Sequence, residues 1–265
     1  MDNKRHFALI TGASSGIGYE LAKLFAKDNF NLIIVGRDEA KLKRAAVALE
    51  AQGVEVITIT ADLFEPDAAF DLYEQIKAQN IQIDVLVNDA GQGVYGKFVD
   101  TDLNKELDII QLNISSLVTL TKLYVREMVA RGSGKILNVA SVAGKVPGPY
   151  QAVYHGTKAF VHSFSEAVRA EIKDTPVNIT SLLPGPTDTD FFRKADMLDS
   201  KVVQEGELAD PADVAKDGYE AMIAGKDMVI SGFKNKLQVA MGNITPDSIL
   251  AEQTGKMQEP VDDKS

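Results

Sequence analysis

The sequence predicts an α/β fold: one doubly wound parallel sheet of about seven strands with helices on both faces. Three observations predict it. Short apolar runs alternate along the chain with longer amphipathic ones. The short runs, four to seven residues each, are apolar throughout instead of alternating with polar residues, the pattern of strands buried on both faces. A glycine-rich turn joins the first run to the first amphipathic stretch. Right-handed crossovers then favour a doubly wound sheet, although eight β-α units closed into a barrel would read similarly.

Residues 7–10 form the first apolar run, and 17–27 follow at helical spacing. Residues 32–35 are a β-branched run, and the helical stretch 39–51 stops at Gly53. Residues 54–59 alternate with Thr as a third strand, 67–78 are helical and 83–87 form a fourth strand. A long helical stretch, 103–131, is closed by Gly132 and Gly134. Strand 136–139, helix 153–173 and strand 177–183 come next, the last ended by Pro184 and Gly185. Helix 211–224 leads to a short run at 228–230. Two amphipathic segments, 233–242 and 248–257, read as subunit-contact helices, extra cover over a site or a membrane-surface helix.

The 265 residues, 45% of them hydrophobic, suit one domain with a sizeable core. We place that domain at 1–258, including a charged, Phe-containing cover segment at about 188–210, and read 259–265 as a polar tail that frays. The 28 Lys and Arg against 38 Asp and Glu leave a net charge of −10. That charge argues against nucleic-acid and anionic-membrane partners. There is no cysteine, which excludes disulfides and thiolate chemistry and fits a cytoplasmic protein. Among the three histidines, His155 and His162 are spaced as a polar helix face; none has a zinc spacing, and no metal is implied. No apolar run approaches a membrane span, and the charged start lacks the pattern of a secretory signal.

The first strand runs into Thr11-Gly12-Ala13-Ser14-Ser15-Gly16-Ile17-Gly18, a Rossmann-like strand-to-helix entry. Gly12 permits a tight turn, Gly16 lets the backbone approach a pyrophosphate, and Gly18 lets the helix pack on the sheet. The helix start then aims N–H groups and a positive dipole end at phosphates, and Ser14 and Ser15 can add hydroxyl donors. Tyr154 and Lys158 are four apart and share one helix face. A phenol titrating near ~10 is a poor base at neutral pH. A cation about 5 Å away at an effective dielectric of about 20 favours phenolate by roughly 3 kcal/mol, drawing Tyr154 toward ~8. Ser141 ends the fifth strand, where its hydroxyl can hold a substrate carbonyl and its developing oxyanion. Asn113 interrupts a helix with a mediocre helix former.

Taken together, the glycine string, Asn88-Asp89-Ala90-Gly91, Asn113, Ser141, Tyr154-His155-Gly156-Thr157-Lys158 and Pro184-Gly185 resemble the motifs of the short-chain dehydrogenase/reductase family, in its order, over residues 6 to about 190. The resemblance implies hydride exchange between NADP and a small-molecule carbonyl or secondary alcohol, with Tyr154 moving the proton. Lys158 would tune Tyr154 and hold the nicotinamide ribose, and Asn113 would hold a relay water. It places Asp62 and Leu63 at the adenine and Asn88, Ala90 and Gly91 along the cofactor, and suggests a homodimer or homotetramer. Where NAD-preferring members carry an acid, this chain has Gly36 followed by Arg37. Arg37 can fork onto a 2′-phosphate, or pair with Asp38 or Glu39 at the surface; we favour NADP over NAD. Pro184 stiffens the next turn, Gly185 allows approach to the nicotinamide, and Thr187 can reach its amide or the phosphates. The segment after Thr187 resembles a substrate lid, but also reads as a surface helix. Asp89 departs from the family's usual Asn, which ties the sheet together; the carboxyl keeps an acceptor, loses a donor, and is expected to find a backbone N–H. The rival readings are a non-catalytic NADP-binding regulator, a structural α/β subunit and a 3-oxoacyl-thioester reductase.

Overall fold

Strands without a polar face must be covered on both sides, and the structure, a computed structural model describing residues 6–242 and 244–261, covers the central ones so and leaves Thr58 and Thr60 at one edge exposed. The charged start, 1–5, and the tail residues Asp262, Asp263 and Lys264 lie outside the described residues. Seven strands are found among those described: β1 Phe7–Thr11, β2 Asn31–Gly36, β3 Val56–Thr60, β4 Ile83–Asn88, β5 Lys135–Val139, β6 Asn178–Leu183 and β7 Met228–Ile230. They lie in the order β3-β2-β1-β4-β5-β6-β7, every pair parallel. The direction of winding reverses between β1 and β4, which opens a crevice at the strands' carboxyl ends.

The helices are α1 Gly16–Lys27, α2 Glu39–Glu50, α3 Ala68–Ala78, α4 Leu103–Ile110, α5 Leu117–Arg131, α6 Ala152–Glu171, α7 Phe191–Lys194, α8 Lys201–Gln204, α9 Pro211–Ile223, α10 Phe233–Gly242 and α11 Asp247–Gln258. Successive strand residues point to opposite faces. Ala8 and Ile10 join Leu21 and Phe25 of α1, Leu42 of α2 and Met222 of α9 in one layer. Leu9, on the other face, packs with Leu72 and Ile76 of α3 and with Tyr124 and Met128 of α5. Removing the fully buried Phe25 ring would cost about 3–5 kcal/mol.

Caps fix the helix starts. Asp38, Asp102 and Asp210 accept backbone N–H groups at the heads of α2, α4 and α9. Ser15, at the head of α1, makes no side-chain cap.

The expected continuous helix 103–131 is broken. Residues Gln111–Ser116 form a π-helical turn between α4 and α5, and Asn113 sits in it. The reason is tertiary: the Asn113 amide donates to the Gln92 carbonyl at 2.9 Å and to Thr157 Oγ1 at 3.0 Å, and accepts from the Gln92 N–H at 3.0 Å. The tail departs from expectation too. Residues 259–261 are pinned, with Lys201 N–H donating to the Glu259 carbonyl and Val261 N–H to that of Asp199, each at 2.9 Å or less.

Candidate active site

The carboxyl ends of the strands converge on one cleft. It is lined at one end by Ser14, Arg37, Asp62 and Leu63, along its middle by Gly12, Ser15, Gly16, Ile17, Ala90 and Gly91, and at the far end by Ser141, Tyr154, Lys158, Pro184, Gly185 and Thr187. These are predicted site residues, drawn together from six strand ends and two helices. Three others stand behind the lining. Gly18 packs α1 onto β1: a Cβ there would lie 2.6 Å from Asp89 Oδ2 and 2.9 Å from the Gly12 carbonyl. Asn113 braces the Gln92 backbone. Asn88 is buried in the sheet, its amide donating to Thr121 Oγ1 at 3.0 Å and Asn138 Oδ1 at 2.9 Å.

That last pair relocates a role. Asn88, not the residue after it, ties the middle of the sheet. Asp89 turns instead toward the head of α1, where its carboxylate accepts the Gly18 N–H, one of the helix-head donors that Ser15 leaves unmet. Burial nevertheless pushes Asp89 up to about 7, while Lys158, the Gly18 N–H and Lys194 pull it back.

Tyr154 and Lys158 occupy adjacent turns of α6, the ammonium 5.9 Å from the phenol ring centre. The half-buried ring borders the cleft, with Ser141 beside its hydroxyl. Ser141 is itself fixed, donating to the Pro184 carbonyl at 3.3 Å and accepting from the Ala143 N–H at 3.1 Å. The expected electrostatics are reversed here. Burial pushes Tyr154 up to about 12, against the Ser141 hydrogen bond. Lys158 is not among the groups that lower it. It donates to the Val139 carbonyl at 2.7 Å and faces Asp89, and burial brings it down to about 8. At neutral pH the phenol holds its proton.

Arg37 does not pair with Asp38 or Glu39. Its guanidinium lies 4.7 Å from the Phe64 ring centre and donates to Gln92 Oε1 at 3.2 Å, while Asp38 caps α2 and Glu39 pairs with Lys43. The segment after Thr187 folds across the glycine loop. Thr187 donates to the Gly185 carbonyl at 2.8 Å, and Asp190 bonds Lys41 of α2 at 2.9 Å. Phe191 lies 5.0 Å from the Tyr154 ring, centre to centre.

Several lining residues carry no motif: Phe191 and Lys194 lie in the segment that resembles a lid, Gln238, Thr254, Met257 and Gln258 belong to the last two helices, and Gln151 escapes a sequence reading. α10 and α11 are therefore cover over this cleft. A Cβ on Gly185 would meet Asn235 of α10 at 2.3 Å, and one on Gly255 would meet Pro149 at 3.3 Å. His155, read as part of a polar face, is buried and donates Nδ1–H to the Val146 carbonyl at 2.9 Å; burial lowers its pKa and keeps it neutral.

A dinucleotide fits these residues. The Gly12 backbone lies at φ +74, and a Cβ there would lie 2.9 Å from the Ala90 nitrogen. A Cβ on Gly91 would crowd Lys158 Nζ at 3.3 Å. The uncapped first turn of α1 opens on the same groove.

Residues 6–198 match the family model described as short chain dehydrogenase. The dehydrogenase/reductase SDR family member 7B of Danio rerio is 30% identical over 90% of this chain and 81% of its own. The ketoacyl reductase HetN of Nostoc sp. is 32% identical over 91% of this chain and 85% of its own. Among solved structures, a short-chain dehydrogenase from Sphingobium yanoikuyae in complex with NADPH is 27% identical and superposes with a TM-score of 0.80, covering 91% of this chain and 96% of that one.

Proposed function

This chain belongs to the short chain dehydrogenase family, and from that membership we propose that it is an NADP-dependent oxidoreductase exchanging hydride with a small carbonyl compound or secondary alcohol. One observation carries the reading: a Tyr154 hydroxyl beside Ser141, with Lys158 one turn on, in the groove that Arg37 also lines. The bound dinucleotide supplies or accepts the hydride at the substrate carbon. Arg37 offers a planar fork to a 2′-phosphate and stacks on Phe64, favouring NADP. Asp62, Leu63, Gly12, Ser14, Ser15, Gly16, Ile17, Ala90, Gly91 and Thr187 would hold the rest of the cofactor.

Ser141 presents its hydroxyl to the substrate oxygen, which Tyr154 also reaches. In reduction Tyr154 Oη–H gives its proton to that oxygen as negative charge grows there. A proton donor already protonated suits this step. Lys158 sets an ammonium 5.9 Å from the centre of the ring that becomes a phenolate, and Asn113 fixes the Gln92 backbone.

A second reading, reduction of a 3-oxoacyl thioester, draws support from the ketoacyl reductase relative. NADPH consumption over aldehydes, ketones, quinones and 3-oxo thioesters tests both. Turnover of simple ketones with thioesters unused supports the first, and the reverse supports the second. Tight NADPH binding with no turnover of any compound would overturn both in favour of a non-catalytic regulator.

A further inference from the structure

Besides the neutral His155, the acidic and basic side chains that line the cleft are Arg37, Asp62, Asp89, Lys158, Asp190 and Lys194. Each is engaged on the glycine-loop side of the cleft or on the backbone behind it. Arg37 stacks on Phe64, and Asp62 accepts the Phe64 N–H at 3.2 Å. Asp89 Oδ2 lies 3.0 Å from where a Gly12 Cβ would stand. Lys158 donates to the Val139 carbonyl. Asp190 is bound by Lys41 and Arg193. Lys194 stands one helical turn after Asp190, and the charges that act on it are Asp190, Lys41, Arg37 and Arg193.

The cleft wall beyond Tyr154 is built differently. Phe191 lies 5.0 Å from the Tyr154 ring, centre to centre, and its Cζ would be 2.9 Å from a Cβ on Gly93. Behind it stand the buried Phe192 and Met197, packed with Val202. Val146 lies under the end of α10, where a Cβ on Gly242 would meet its Cγ1 at 3.7 Å. The polar groups beside it are spent on one another. His155 donates Nδ1–H to the Val146 carbonyl, and its Nε2 faces the Gln258 amide at 3.0 Å. Gln151, Gln238 and Thr254, which also line the cleft, are uncharged. An ion carried in against this wall would lose its water without meeting an opposite charge. A hydrocarbon would gain with every carbon covered.

We propose that the wall formed by Phe191 and Val146 selects an uncharged ketone with a hydrocarbon body, and that it rejects ketones of the same size that carry a carboxylate or an ammonium there. The inference rests on the reductase reading and deepens it to a substrate class. In the oxidative direction the class is the secondary alcohol with the same body. Met257 of α11 lines the cleft and is 49% exposed, which puts it at the mouth, where a long body meets solvent.

The test uses the full chain with NADPH and methyl ketones whose second substituent grows from butyl to octyl. Each is paired with the ketones in which a carboxylate or a trimethylammonium group replaces the terminal methyl. Expected is a rise in kcat/KM of about threefold per methylene until the body reaches the mouth. Each ion should fall at least about 100-fold below its uncharged partner. Phe191→Ala should flatten the rise to less than about 1.5-fold per methylene. Met257→Lys should narrow the carboxylate gap at least about tenfold and widen the ammonium gap. Melting temperatures, and NADPH affinities within a few-fold of normal, show that both variants fold. Ketones reduced without regard to length, ions used as well as their uncharged partners, or a slope and a gap that neither substitution moves would overturn the selection and leave the reductase reading standing. Absence of turnover with every compound overturns that reading, and the selection with it.

Discussion

Replacing Asp89 with asparagine removes one charge from the floor of the cleft while keeping the side chain's shape and an acceptor for the Gly18 N–H. Burial lifts this carboxyl from the usual 3.8 to about 7. Because the folded-state value is the higher one, the folded chain holds this proton more tightly than the unfolded chain. The stability it contributes is complete below pH 4 and is lost as pH rises through 7. Between pH 5 and pH 8 the loss is about 2–3 kcal/mol, from the two values and linkage. Lys158, brought down to about 8, runs the other way, but its share of that interval is less than about 1 kcal/mol. Urea unfolding at four pH values across the interval, for the natural chain and for Asp89→Asn, measures the difference directly. The natural chain should lose stability toward pH 8, and the variant should stay level within about 1 kcal/mol. At pH 8 the variant should be the more stable by about 2–4 kcal/mol, roughly 10 °C in Tm. Two parallel curves would refute the reasoning, because they would mean that Asp89 titrates as an ordinary surface carboxyl.

Tyr154→Phe should lower turnover by about 10²–10⁴-fold with NADPH affinity within a few-fold of normal; steady-state rates and a binding titration check it, and retained turnover rejects Tyr154 as proton donor. Arg37→Asp should cut the NADPH-to-NADH ratio of kcat/KM at least about tenfold, and an unchanged ratio would remove Arg37 from 2′-phosphate recognition. Gly18→Ala places a methyl 2.6 Å from Asp89 Oδ2, so thermal melts should show a loss of about 1–3 kcal/mol and titration should show weaker dinucleotide binding.

The sheet is legible in the sequence because strands such as Leu32-Ile33-Ile34-Val35 are buried on both faces and have no polar alternation to mistake for anything else. The glycine loop is legible because a backbone at φ +74 leaves little choice of residue at Gly12. The π-helical turn is not, because Gln111-Leu112-Asn113-Ile114 keeps helical spacing; only a buried asparagine marks the place, and its reason lies in Gln92 and Thr157. Gln151 and Gln258 are invisible for a similar cause. Each is an ordinary amide at or in a helix, and only the fold buries it against the cleft, Gln258 beside His155.

The charge around Tyr154 shows why spacing alone could not give its pKa. A four-residue interval puts an ammonium beside a phenol, and Coulomb's law between those two alone predicts an acidified phenol. In the folded chain the same ammonium is held by the Val139 carbonyl and faced by Asp89, residues supplied by two other strand ends. Burial, the largest influence on the phenol, works in the opposite direction, and Asp89 adds to it against Ser141. Under the proposed function this asymmetry has a direction. Reduction begins from the protonation state the site already holds, whereas oxidation requires Tyr154 to shed its proton first. The oxidative rate should therefore climb with pH well beyond the point at which the reductive rate has levelled.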